Sequence, residues 1–142
     1  MKISVIIPTL NAGASIGGLL SSLQSQDIES PEIIIIDSSS GDNTVDIAKG
    51  FGVKPIVIPK SAFNHGKTRN IAAMEAKGDI LVFMTQDALP ADNTLLSRLT
   101  APLKKSGIAA TFGRHIPGDD ASPLEVFLQD LQKKSFSLNI LS

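Results

Sequence analysis

Apolar residues fall along this chain in two alternating textures, short continuous runs and stripes spaced three and four apart. Continuous runs suit strands buried on both faces of a parallel sheet, and the spaced stripes suit the core face of a helix. Lys2 to Ile7 is the first run, ending at Pro8-Thr9-Leu10-Asn11. Ile16, Leu19, Leu20 and Leu23 then form a helical stripe, with Ser15 placed to cap it. The Gly17-Gly18 pair weakens the first turn of that helix by about 1 kcal/mol per glycine. Pro31 opens a second strand, Ile33 to Ile36, which stops at Asp37-Ser38-Ser39-Ser40-Gly41-Asp42.

Asp42 or Asn43 caps a short helix through Lys49, ended by Gly50 and Gly52. Lys54 to Ile58 predicts a third strand, closed by Pro59. After the loop at Asn64-His65-Gly66, a helix is expected over about Lys67 to Lys77, with Gly78 as its C-cap. Ile80 to Met84 is the fourth strand. A helix around Asn93 to Lys105 follows, kinked or ended by Pro102, and Ile108 to Phe112 predicts a fifth strand. Last, Ser122-Pro123-Leu124-Glu125 is a capping box opening an amphipathic helix with Leu124, Phe127, Leu128 and Leu131. Strand and helix alternate five times without linker or repeat. That order predicts an α/β fold, a doubly wound, mostly parallel sheet with helices on both faces.

The totals narrow the function classes. At 142 residues the whole chain, 1–142, reads as a single domain. A net charge of -1 gives no field for gripping a polyanion, so nucleic acid is not an expected partner. The chain has no cysteine, which excludes disulfides and thiolate metal sites. No apolar run reaches the roughly 20 residues of a membrane span, and Pro8 closes the first run too early for a signal peptide. A cytoplasmic protein is expected, acting if anywhere else at the inner face of the membrane. With no Trp or Tyr and six Phe, an aromatic-lined groove is not expected.

The polar clusters come after strands, at Asn11, Asp37, Asp87 and Arg114, and in such a sheet they converge on the carboxyl edge, where ligands bind. Asp87 is the sharpest of them. A carboxylate at the end of a buried strand is costly unless a cation or a hydrogen-bond donor meets it. It is a candidate ligand for Mg²⁺ or Mn²⁺, workable alone if a diphosphate supplies further oxygens. The competing role, capping the next helix, is already served by Asp92 and Asn93. Asp37 either accepts from a base or ribose hydroxyl or starts an Asx-turn in its own loop.

Gly66-Lys67-Thr68-Arg69-Asn70 opens a helix, where free amides and the dipole attract anions, and Lys67 and Arg69 add charge for a diphosphate. The spacing of a Walker loop is not met. His65 beside these cations is a further candidate, though it reads more simply as a loop residue. Asn11 either positions a nucleotide or caps the following helix, and Arg114 and His115 either face the same cleft or face solvent. No dinucleotide fingerprint follows the first strand, and no nucleophile elbow occurs.

Four motifs, in this order and spacing, resemble the N-terminal half of family 2 glycosyltransferases of the GT-A fold. They are Val5-Ile6-Ile7-Pro8-Thr9-Leu10-Asn11, Ile36-Asp37-Ser38-Ser39-Ser40-Gly41-Asp42-Asn43-Thr44, Gly66-Lys67-Thr68-Arg69-Asn70 and Gly78-Asp79-Ile80-Leu81-Val82-Phe83-Met84-Thr85-Gln86-Asp87. Thr85-Gln86-Asp87-Ala88-Leu89-Pro90 and Gly113-Arg114-His115-Ile116-Pro117 look most like the rhamnosyltransferase branch.

The resemblance implies a nucleoside-diphosphate-sugar site built from Pro8, Thr9, Asn11, Asp37, Lys67, Arg69, Thr85, Gln86 and Asp87. Asp37 would bind the base, Arg69 would sit near the diphosphate, and Asp87, matching the last Asp of the family's Asp-x-Asp motif, would hold the divalent metal. Thr85 stands where the first Asp of that motif normally is, which agrees with a deoxynucleotide donor such as dTDP-rhamnose beside the alternative of a UDP-sugar. The implied reaction is an inverting sugar transfer to a saccharide acceptor, such as a cell-surface polysaccharide. The family's catalytic base lies beyond the matched region, so none is assigned; Asp119 and Asp120 read as a turn.

Phe136-Ser137-Leu138-Asn139-Ile140-Leu141 ends the chain without a terminating signal, so a fragment is expected, with apolar surface that a homodimer would cover. Three rivals are a nucleotidyltransferase, which wants a charged Gly-rich loop where Asn11-Ala12-Gly13 stands, a receiver-type module, which wants an acidic pair where Pro8-Thr9 stands, and a donor-binding fragment without catalysis.

Overall fold

The structure, a computed structural model, describes residues 1–113. Four strands form one parallel sheet: β1 (Ile3–Thr9), β2 (Glu32–Asp37), β3 (Ile56–Val57) and β4 (Ile80–Phe83), in the order β3-β2-β1-β4. The longest apolar runs take the centre, and β1 lies between β2 and β4. Ile6 sits beside Ile34 on one side and Phe83 on the other, and Thr9 sits beside Asp37.

Alternation along the central strands divides the core in two. Val5, Ile7 and Ile35 point to one face, where they meet Ile16, Leu19, Leu20 and Leu23 of α1 (Ile16–Gln24), Ala48 of α2 (Thr44–Gly50) and Leu96 of α4 (Leu95–Thr100). Ile6, Ile34 and Ile36 point to the other, where they pack on Ala72 of α3 (His65–Glu75). Each fully buried Leu or Ile contributes roughly 1.5–3 kcal/mol, so these two layers fix the sheet between its helices. The four stripe residues of α1 are its four buried residues.

Several elements differ from the sequence expectation, each for a local reason. The third strand shrinks to Ile56–Val57 between Pro55 and Pro59, which cannot donate to a ladder. The helix that starts at His65 does so because Asn64 caps it, accepting from Gly66 N and Lys67 N. It ends at Glu75, with extended Ala76 after it, so Gly78 is not its C-cap. Gly78 instead passes beside β1, where a Cβ would lie 2.6 Å from Ser4 Oγ and 2.7 Å from Ser4 N.

Asp92 begins the next helical stretch, its Oδ1 accepting from the backbone N–H and hydroxyl of Thr94. Lacking an N–H, Pro102 ends α4, and the chain continues as a 3₁₀ turn at Ala101–Lys104. No strand forms over Ile108 to Phe112, and the sheet has four strands among the described residues. Gly107 turns the chain at φ +85°, and the segment buries no face, Phe112 being 74% exposed. Arg114, His115, Asp119, Asp120 and the Ser122 capping-box helix lie outside the described residues. Among the described residues no helix is long and apolar enough to cross a membrane.

Candidate functional site

The carboxyl ends of β1, β2 and β4 and the start of α3 surround a cavity of about 310 Å³, at the low end of small-ligand sites. Pro8, Thr9 and Leu10 supply the wall from β1, and Ser38 that from β2. Lys60, Phe63, His65 and Arg69 supply the α3 side, and Thr85 with Gln86 the β4 side.

The β2 loop is built around Asp37, which is fully buried. Its Oδ1 accepts from Thr9 Oγ1 at 2.7 Å and Ser40 Oγ at 2.6 Å, and its Oδ2 accepts from Ser40 N at 2.8 Å. The carboxylate thus folds its own loop and fastens it to β1. Asn11 laces the same two loops: its N–H donates to Ser40 Oγ at 2.8 Å and its Oδ1 accepts from Gly41 N at 2.9 Å. Asn11 takes the left-handed conformation (φ +51°) that asparagine tolerates better than most residues. It caps no helix. Ser15 precedes α1 but makes no capping bond; its hydroxyl donates to Ala12 O and Gln86 O.

Asp42, not Asn43, accepts from the first turn of α2, at Thr44 N. The Thr44 hydroxyl and then Gly13 N–H hold the Asp42 carboxyl below the usual carboxylate range. Thr44 Oγ1 in turn accepts from buried Ala12 N at 2.7 Å. Ser38 is the exception to this closure. Its side-chain oxygen is buried and has no hydrogen-bond partner among the described residues.

On the α3 side, Asn64 occupies two of the amides that the motif offered to an anion. Arg69 is half-buried, lines the cavity, and spends one N–H on His65 O at 3.1 Å, which leaves further guanidinium donors uncommitted among the described residues. His65 meets Phe63 edge to face, ring centroids 4.9 Å apart. Lys67 is exposed and outside the lining; Lys60 supplies the second cation instead.

Gln86 bonds Leu10 twice, and Asp87 follows it, exposed and with no hydrogen bond or ion pair among the described residues. No group of three or more His, Cys, Asp or Glu that could hold a metal occurs among the described residues. A lone free carboxylate fits a hard divalent cation only where the ligand's own oxygens complete the shell.

Of the nine residues implied as the donor site, Pro8, Thr9, Arg69, Thr85 and Gln86 therefore line one cavity. Asn11 and Asp37 brace the loops behind it, and Lys67 and Asp87 stand outside the lining. Ser38, Lys60 and Phe63 were not singled out from the sequence. Phe63, a rare aromatic two residues before His65, carried a readable signal. Lys60 and Ser38 carried none beyond standing after a strand.

Known proteins resemble this chain in sequence and in fold. The family model "Glycosyl transferase family 2" matches residues 4–137. The O-antigen chain rhamnosyltransferase RfbN of Salmonella typhimurium is 39% identical over 140 residues, 97% of this chain and 45% of RfbN. This chain thus spans less than half the length of that relative. The crystal structure of S. aureus TarS 1-349 in complex with UDP is 28% identical, with a TM-score of 0.64 over 83% of this chain and 38% of that one. Glucosyl-3-phosphoglycerate synthase from Mycobacterium tuberculosis, solved with Mn²⁺, UDP and glucosyl-3-phosphoglycerate, is 29% identical, with a TM-score of 0.58 over 72% of this chain and 39% of that one. The expected GT-A architecture is the one these neighbours share. With its motifs, its parallel sheet and the family match in agreement, the chain belongs to glycosyltransferase family 2.

Proposed function

We propose that this chain carries the donor-binding part of a rhamnosyltransferase, which moves rhamnose from a nucleoside diphosphate to a saccharide acceptor of the O-antigen type. The observation that carries the reading is the cavity at the carboxyl edge, with two cationic side chains, Lys60 and Arg69, on one wall. The similarity to RfbN supports the sugar, and the UDP and Mn²⁺ complexes of the structural neighbours support the donor class and the metal.

Arg69 and Lys60 meet the diphosphate, where a guanidinium forms paired charge-assisted bonds. Pro8 and Phe63 offer apolar surface to the base or sugar, and Thr9 and Asn11 shape the nucleotide loop. Asp37 acts through the loop that it folds. Lys67 adds positive charge outside the cavity. Asp87, with Thr85 beside it, would hold a divalent cation if the diphosphate supplied the remaining oxygens, and the metal would supply positive charge against the leaving group.

In the transfer, the acceptor oxygen forms a bond to the anomeric carbon as the bond from that carbon to the diphosphate oxygen breaks. The diphosphate leaves with the electron pair, the acceptor's proton passes to a base, and the configuration inverts. Such a donor favours the cytoplasm as the place of action.

Calorimetric titration of dTDP and UDP, with and without Mn²⁺, tests the reading. Wild type should bind at least one of them more tightly with the metal. Asp87→Ala should abolish the metal dependence, and Arg69→Ala should weaken binding about tenfold or more. Binding of neither nucleotide by the wild-type chain would reject the proposal.

A further inference from the structure

We propose that Gln86 is a positioning residue whose side-chain amide locks the β4 loop onto the β1 loop, setting the cavity wall and the place of Asp87. The inference rests on the donor-site reading, but its geometry stands apart from any ligand.

The backbone ladder between β1 and β4 ends at Ile6 and Phe83, with a last bond from Met84 N to Ile6 O at 3.0 Å. Beyond that point β1 continues to Thr9 beside β2, and no backbone bond joins its end to residues 85–88 among the described residues. The β1 loop is held on its β2 side by Thr9 and Asn11, but no backbone bond keeps the β4 loop against it. Gln86 takes over. Its Oε1 accepts from Leu10 N at 2.8 Å, and its Nε2 donates to Leu10 O at 3.2 Å.

A glutamine amide is chemically a peptide group, so this pair of bonds to one residue imitates a further rung of the ladder. Ser15 Oγ adds a bond to Gln86 O at 3.1 Å, tying the start of α1 to the same turn. Leu10, Thr85 and Gln86 all line the cavity, and Asp87 follows directly. A side chain with both polar atoms engaged in this way acts on a ligand chiefly by holding the wall. Preorganisation of this kind removes an ordering cost from binding.

Two variants separate this role from simple contact. Gln86→Glu keeps the length and the acceptor but sets an oxygen against Leu10 O. Gln86→Asn keeps the amide but is one methylene too short. For each, amide exchange at Leu10 is followed by NMR with Ile6 and Ile35 as sheet controls, and dTDP and UDP are titrated with Mn²⁺.

Leu10 exchange should quicken about tenfold while Ile6 and Ile35 keep their rates, and nucleotide affinity should fall about tenfold. Wild-type exchange at Leu10 in both variants, or wild-type affinity in both, overturns the proposal. If one variant fails to fold, the other decides. If the wild-type chain binds neither nucleotide, the donor reading fails by itself, and Leu10 exchange then decides whether the clasp exists.

Discussion

The two edges of the sheet treat their polar groups in opposite ways. At the amino edge they close on one another. Ser4 donates to Glu32 and accepts from Gly78 N, Glu32 accepts from Lys77 N, and Lys2 N donates to Asp79. At the carboxyl edge most groups are closed too, but the Ser38 hydroxyl and the Asp87 carboxylate are left without partners among the described residues. Groups that fully pair hold a fold together, whereas open ones beside a cavity are available to a ligand. Location alone does not separate the two roles, because Asp37 stands at the carboxyl edge yet behaves like the residues of the amino edge.

The sharpest test of that last point gives the largest effect. Asp37→Ala removes an acceptor of three buried or half-buried hydrogen bonds and strands the Thr9 and Ser40 donors. Stability should fall by about 3 kcal/mol or more, read by urea unfolding, since bonds to a charged group are worth about 1.5–3 kcal/mol each. A loss below about 1 kcal/mol would mean that the loop does not depend on the carboxylate, and Asp37 would move to the ligand side of the comparison.

Next come two glycines, one at each edge. A Cβ on Gly78 would strike backbone, Ser4 N at 2.7 Å and Ile3 C at 3.0 Å, which can yield only if strands shift. A Cβ on Gly13 would strike side-chain ends, Asn43 Oδ1 at 2.1 Å, which has no hydrogen bond among the described residues and can swing away, and Asp42 Oδ2 at 2.8 Å. Gly78→Ala should therefore cost about 2–3 kcal/mol and Gly13→Ala about 1 kcal/mol. Equal costs would show that the carboxyl loops are as rigid as the sheet.

The amino edge also predicts an acid sensitivity. The Ser4 hydroxyl first, and then Lys77 N–H, hold the Glu32 carboxyl below its ordinary range. A lowered folded value means that this stabilisation is fully present above the unfolded value and is lost as pH falls through the folded one. Unfolding of wild type and Glu32→Gln between pH 7 and pH 3 should show a shallower acid loss in the variant. Parallel curves would remove Glu32 from the network.

Much of this architecture was legible in the sequence, and the exceptions share a cause. Val5 to Ile7 and Ile33 to Ile36 announced buried strands because a run without a polar face has no solvent side, and the α1 stripe announced its buried face by spacing alone. Gly78 misled, since a glycine that caps a helix and one that admits a neighbouring strand look alike in one dimension. Ile108 to Phe112 misled because an apolar run becomes a strand only where a partner edge receives it. The site divided likewise. Arg69 and Thr85 line the carboxyl-edge cavity, while the bracing role of Asp37 depended on Thr9, and that of Gln86 on Leu10, 76 residues away.

The smallest effect falls where the comparison is purest. The Ser38 side-chain oxygen is buried without a partner among the described residues, and the residue is 1% exposed. An unsatisfied buried hydroxyl costs about 1–3 kcal/mol, an amount that closure of the amino edge would never leave in place. Ser38→Ala removes the orphan and leaves a small side chain, so stability should hold or rise by up to about 1 kcal/mol. Ser38 lines the cavity, where a polar group of a bound ligand would give this hydroxyl a partner. Nucleotide affinity in Ser38→Ala should then fall about tenfold while unfolding moves the other way or not at all. If the variant loses stability instead, the hydroxyl has a structural partner in solution, and the carboxyl edge is as closed as the amino edge.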